Sequence, residues 1–361
     1  MTRDRRPRST ARAVPAFILV LVLALALALA ACGDDVDAAS TAAGDDAEQA
    51  DNAETGDDDD GSAADDAGDG AAGTVTVEHA SGTDEVPVNP DTVVALANPM
   101  FSTLAAMGVE LAAAPVSLMG DGSIWPEYAD VDDVGNHREP NLEVVIAANP
   151  DLIITGGRFG QYYEDLVSDN PDAVVIDLSI DAEGEISDDL KRYTEVLGQI
   201  FDDEATANEI INAYDDAVAD AQVAYNGDDT VMGLITSGAS IQYAAPVEGR
   251  SVGPVFGTLD LVPAMDREAE DASHGDEVSV EAIADANPDW IIALDRDGAV
   301  SPDDPEYASA EEVIEGSEAL QNTTAVAERN VVYLDRDFYL TEDIQAYTDL
   351  YADIAEAFSA S

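Results

Sequence analysis

Two arginines in this chain stand at matched positions. Arg158 closes the stretch NLEVVIAANPDLIITGGR (141–158) and Arg296 closes SVEAIADANPDWIIALDR (279–296), in register at a spacing of 138 residues. Glu143 and Glu281, the two Asn-Pro-Asp triplets and the paired isoleucines coincide under the same offset. A guanidinium is a planar fork of N–H donors that stays charged at any physiological pH, which suits it to anionic oxygens. Bond-making chemistry has no comparable signature. The sequence contains no G-x-S-x-G and no H-E-x-x-H, and Cys32 is its only cysteine. Gly156-Gly157-Arg158-Phe159-Gly160 lacks the G-x-G-x-x-G spacing of a dinucleotide loop.

The elements that must position these arginines are legible from hydrophobic patterning. Short, nearly continuous apolar runs occur at Thr92–Ala97, Leu152–Thr155, Val174–Leu178, Val231–Thr236, Trp290–Leu294 and Val331–Leu334, as in strands buried on both faces of parallel sheets. Helical patterns lie between them. In the clearest, Asp203–Tyr225, one face carries Ala207, Ile210, Ile211, Tyr214, Val218 and Ala221. Strand–helix alternation predicts α/β layers. A repeat at 138 residues is far longer than the ~20–50 of a solenoid unit, so it predicts two related lobes. Asn141 and Ser279 are predicted to N-cap short helices, with Leu142, Val145 and Ile146 as the buried stripe of the first. Pro150 and Pro288 then stop each helix. Arg158 and Arg296 follow the strands, in the crevice beyond the carboxyl edges where open parallel sheets hold ligands.

The chain ends and the charge bound the setting. Arg3, Arg5, Arg6, Arg8 and Arg12 precede an apolar run from Ala16 to Ala31, shorter than a membrane span of ~20 residues, and the run closes on Leu29-Ala30-Ala31-Cys32. This pattern predicts a leader over 1–32 with Cys32 lipidated, or an ordinary signal peptide with an incidental cysteine. Residues 33–73 hold no aromatic, Ile or Leu, the composition of a disordered acidic tether. With no second cysteine there is no disulfide, so the fold must rest on its core. The formal net charge is −63, and Lys191 is the only lysine. Such a halophile-like surface excludes nucleic acid as a partner.

The lipobox-like ending, the two repeat segments, VNPDTVVAL, EGRSVGPVFG and VVYLDRDFYL together resemble class III solute-binding proteins of ABC importers. The likeness is greatest to the group that takes ferric catecholate siderophores, and it covers roughly Thr74 to Phe358. The resemblance implies two Rossmann-like α/β lobes, 74–202 and 227–361, joined by one long helix at 203–226. A ligand groove lies between the lobes, and a monomer delivers its cargo to a permease dimer. It implies no enzymatic activity and no intrinsic cofactor, the ferric siderophore being the transported ligand. It also implies that Glu143 and Glu281 dock on the permease, although a first-turn Glu also favours the helix dipole by ~0.3–1 kcal/mol.

For the groove, the resemblance implies ligand contacts from Arg158, Arg250 and Arg296. The family's arginine lies one position after Arg250. Ferric iron prefers oxygen donors and accepts imidazole. A siderophore filling six iron positions needs no protein ligand; for one filling four, the resemblance implies that His274 and Tyr339 close the shell. Those two residues are otherwise a loop cap and core packing. Trp125, Tyr128, Tyr162 and Tyr163 are candidates to line the groove, while His79 and His137 read as surface or loop residues. Cobalamin, haem or a hydroxamate siderophore remain alternative cargoes, and an exported α/β enzyme or a scaffold lipoprotein remain alternatives of another class.

Overall fold

The computed structural model describes residues 73–120, 124–180 and 185–360. The leader 1–32, Cys32 and the acidic segment up to residue 72 lie outside the described residues. The described chain opens on an antiparallel hairpin, β1 (Thr74–His79) and β2 (Gly82–Pro87). The first lobe is a parallel sheet of β3 (Val93–Ala95), β4 (Leu111–Ala114), β5 (Asp132–Asp133), β6 (Leu152–Thr155) and β7 (Val174–Asp177), in the order β5-β4-β3-β6-β7. The second lobe carries β8 (Thr230–Ser237), β9 (Ser240–Ala244), β10 (Val262–Pro263), β11 (Asp276–Glu277), β12 (Trp290–Asp295) and β13 (Val331–Tyr333). Its order is β11-β9-β8-β12-β13, with β10 beside β8. Strand β9 runs antiparallel to both neighbours. All six apolar runs of the sequence are strands, and the fold is α/β with two lobes.

Side-chain alternation explains why those runs are continuous. In β6, Leu152 and Ile154 enter one core while Ile153 enters another on the opposite face. In β12, Trp290, Ile292 and Leu294 face one core, and Ile291 and Ala293 the other. A sheet covered by helices on both faces has no wet side, so no polar alternation appears. Each fully buried aliphatic side chain is worth roughly 1.5–3 kcal/mol.

The repeat serves the same local purpose in each lobe. A seven-residue helix, Leu142–Ala148 or Val280–Ala286, ends on an asparagine in the left-handed region, Asn149 at φ 48° and Asn287 at φ 46°. Proline follows, and then an aspartate that fastens the lobe's first long-range contact. The Asp151 carboxylate accepts from Thr92 N, and that of Asp289 from Thr230 N, each at 2.8 Å. The caps differ. Ser279 Oγ accepts from Ala282 N at 3.2 Å, but the Asn141 side chain makes no cap bond. The expected stripe also narrows: Val145 is buried and Leu142 partly so, whereas Ile146 is 44% exposed.

Between the lobes lies a helix pair, Ile186–Ile200 and Glu204–Ala224, the second capped by the Asp203 carboxylate accepting from Thr206 N. On the first helix, Leu190 lies in the second lobe's core while Tyr193, Leu197 and Ile200 lie in the first lobe's. The longer helix gives Tyr214, Ala217 and Ala221 to the second lobe's core and packs along the C-terminal helix Ile344–Ser359. The side chains that pass between cores therefore sit on the helix preceding the 203–226 segment. A second junction joins the Phe101–Ala106 helix to the start of the C-terminal helix. Here Ser102 Oγ donates to Asp343 Oδ2, and Asn98 Nδ2 donates to Leu340 O at 3.0 Å.

Three aromatic or histidine expectations need correction. His79 is 5% exposed at the end of β1, its Nε2 2.8 Å from Asp84 Oδ2. Trp125 and Tyr128 do not line a groove. Both pack against Phe101 in the first core, where Trp125 Nε1 donates to Ser102 Oγ and Tyr128 OH to Val109 O, each at 3.0 Å.

Candidate functional site

The site is built where the repeated strands end. After β6 the chain passes Gly156, where a Cβ would lie 3.0 Å from the Leu178 carbonyl, and Gly157, held at φ +53°. These glycines let the loop turn tightly over the end of β7 and present Arg158, whose side chain is exposed. Its Nη1 lies 3.3 Å from His137 Nε2. The His137 carbonyl accepts from Tyr162 OH at 3.0 Å, and its ring meets Phe159 edge-on. Tyr163 turns instead toward His79, at 5.9 Å between rings.

His137 is thus a site residue that its sequence position did not mark. Burial lowers its pKa, and the charges of Arg158, Arg138 and Arg250 lower it further. Arg250 belongs to the other lobe, so this imidazole feels cations from both sides of the cleft. A neutral imidazole so placed can accept a hydrogen bond from Arg158.

In the second lobe three predicted residues come together. Tyr339, on the short helix Phe338–Thr341, lies against two guanidiniums, with Arg250 Cζ 4.1 Å and Arg296 Cζ 5.4 Å from its ring centroid. Arg250 Nη1 donates to Tyr339 OH at 3.0 Å. Arg296 opens a helix immediately after β12; its Nη1 donates to Ser237 Oγ at 3.2 Å and to Asp297 Oδ1 at 3.0 Å. Among the described residues its buried Nε has no partner.

Arg250 also forms a fork with a residue the sequence reading passed over, Glu342. Its Nε lies 2.9 Å from both carboxylate oxygens, and Nη2 donates to Oε2. Burial opposes the Arg250 charge, but the adjacent carboxylate outweighs it and holds the pKa above the usual guanidinium range. No local pattern announced this pair, whose members are 92 residues apart.

His274 is placed differently. Its Nδ1 lies 3.3 Å from Asp271 Oδ2 on a half-exposed loop, which joins the cluster through Arg250 N donating to Ala272 O at 2.8 Å. Among the described residues no contact joins His274 to Tyr339, and no group of three or more His, Cys, Asp or Glu could hold a metal ion. Glu143 and Glu281 are exposed in the first turns of the two repeat helices, without ion pairs among the described residues. The cleft can therefore offer guanidinium donors and an aromatic face to an oxygen-rich anion.

The periplasmic binding protein family profile matches residues 93–338. The petrobactin-binding protein YclQ of Bacillus subtilis is 27% identical over 267 residues, covering 72% of this chain and 80% of the relative. The ferric-anguibactin-binding protein FatB of Vibrio anguillarum is 29% identical over 216 residues, or 59% and 64%. The crystal structure of YclQ superposes with a TM-score of 0.67 at 26% identity, over 79% of this chain and 98% of that one. Among the described residues no helix is long and apolar enough to cross a membrane. Two α/β lobes, a repeat that builds each of them and a match spanning both place this chain in the periplasmic binding protein family, one of binding proteins rather than enzymes.

Proposed function

We propose that the protein is the capture component of an ABC importer for a ferric siderophore, with a catecholate-type chelator favoured. The cargo lies between Arg158 on one lobe and Arg250, Arg296 and Tyr339 on the other. The observation that carries this reading is the Tyr339 ring flanked by two guanidiniums, one of which, Arg250, also acts electrostatically on His137 of the first lobe. Guanidinium donors suit the charged oxygens of a ferric catecholate, and an aromatic face suits its rings. Support also comes from the relatives named for petrobactin and ferric anguibactin. Where the chelator leaves iron positions open, His274 and Tyr339 fill them. Arg250 Nη1 donating to Tyr339 OH sets a positive donor beside the oxygen that would bind the iron.

Delivery follows from the ends of the repeat. Each repeat helix hands over to its strand through an Asn-Pro-Asp turn, so its first turn returns to the carboxyl edge of the sheet. Glu143 and Glu281 then present one carboxylate per lobe to the two subunits of a permease dimer. The protein acts as a lipid-anchored monomer on the outer face of the cell membrane, held through Cys32.

The reading is tested by visible spectroscopy with a ferric bis-catecholate. Binding is expected to shift the charge-transfer band, and His274→Ala or Tyr339→Phe each to shift it again with about tenfold weaker affinity. Arg158→Ala or Arg296→Ala is expected to weaken binding with the band unchanged. A band unmoved by both His274→Ala and Tyr339→Phe would show that the protein does not coordinate the iron.

A further inference from the structure

Two of the three cleft arginines are already matched by carboxylates of their own lobe. Arg250 is forked by Glu342, and Ser251 Oγ donates to the same carboxylate at 2.5 Å. Arg296 is paired with Asp297 at 3.0 Å, and Asp297 also accepts from Ser237 Oγ and Gly238 N. Arg158 instead meets a neutral acceptor, His137, with Arg138 nearby. Among the described residues the carboxylates of the second lobe thus offset two of the three cleft arginines, within a chain of net charge −63.

The Arg250–Glu342 pair is partly shielded from solvent, with side chains 25% and 18% exposed, so its charges are screened less than a surface pair. Glu342 (φ 42°) and Ser251 (φ 64°) both occupy the left-handed region. Glu342 is the left-handed C-cap of the Phe338–Thr341 helix. From this cap its carboxylate reaches the guanidinium that also touches Tyr339.

We propose that Glu342 is an internal counter-ion that sets the charge selectivity of the cleft, favouring ferric complexes of low negative charge over triply charged ones. This rests on the siderophore reading and narrows its substrate class. A hexadentate tris-catecholate leaves ferric iron with a formal charge of minus three, a tetradentate bis-catecholate with minus one, and a trihydroxamate with zero. The trianion must lie near the Glu342 and Asp297 carboxylates with too few free cations to balance it, and like charges brought together in a cleft are a source of discrimination. The bis-catecholate, with one negative charge, needs fewer free cations than the trianion and leaves two iron positions for protein donors.

The experiment measures the affinities of the full chain for these three ferric complexes at one fixed ionic strength, with thermal melts to verify folding. The wild type is expected to bind the bis-catecholate at least about tenfold more tightly than the tris-catecholate. Glu342→Gln frees Arg250 and is expected to move that ratio about tenfold toward the tris-catecholate. Arg250→Gln combined with Glu342→Gln removes the freed cation and is expected to restore the wild-type ratio, which a merely structural role of Glu342 would not do. A wild-type preference for the tris-catecholate overturns the proposal even if the variants fail to fold. Folded Glu342→Gln with an unchanged ratio overturns it while leaving the siderophore reading intact. Binding of none of the three complexes ends both.

Discussion

Replacing Glu143 and Glu281 together by alanine is expected to abolish uptake of the ferric complex while leaving its affinity within about twofold. The two carboxylates are exposed, each in the first turn of a repeat helix, and neither is part of the arginine–tyrosine cluster. Exposed charges away from a binding surface contribute little to the affinity measured there. Their loss costs at most the helix-dipole contribution of ~0.3–1 kcal/mol each, too little to unfold a domain. Docking is different, because the proposed permease contact uses one carboxylate on each lobe, and a single variant keeps one of the two. Either single variant is therefore expected to retain partial transport. Iron uptake by cells and ligand titration of the purified variant, measured side by side, separate the two effects. Transport at the wild-type rate by the double variant would reduce both glutamates to helix-end residues.

A comparably large effect is expected at Asp343, in stability rather than transport. This carboxyl is 1% exposed where the lobes meet, and caps the C-terminal helix by accepting from Ala346 N at 2.8 Å. Burial raises its pKa from 3.8 to about 6; Asp349 pushes the same way, against the donors Ser102 Oγ, Ala346 N and Gln345 N. Between about pH 4 and 6 the folded state therefore holds a proton that the unfolded chain has released. The stability this proton confers is fully present below the unfolded pKa, near 4, and is lost as pH rises through about 6. A shift of this size corresponds to about 3 kcal/mol. Asparagine keeps the shape and remains a good N-cap without the charge. Asp343→Asn is thus expected to be more stable than the wild type at neutral pH by up to about 3 kcal/mol, a gap that closes toward pH 4. Denaturant unfolding of both proteins between pH 4 and 8 measures it. Because the rest of this very acidic chain titrates alike in both, their difference isolates Asp343, and parallel curves would refute the assignment.

Elements whose burial is periodic can be read from the residues alone. The six apolar runs became strands because each is covered on both faces, and the 138-residue repeat became two lobes because each copy uses the same helix, left-handed asparagine and strand-fastening aspartate. The places of Arg158 and Arg296 followed, since a residue just after a buried parallel strand falls at the sheet's carboxyl edge. Strands with little apolar signal were not legible. The hairpin β1–β2 and the two-residue strands β5, β10 and β11 exist only through the neighbours they pair with. The burial of His79, Trp125 and Tyr128, the contact of His137 with Arg158 and the place of Glu342 in the Arg250 fork arise from long-range packing. The physical reason is range. Hydrophobic periodicity is written within a few residues and survives any packing that buries one face, whereas an ion pair between residues 92 apart depends on two loops arriving at the same edge of a folded sheet.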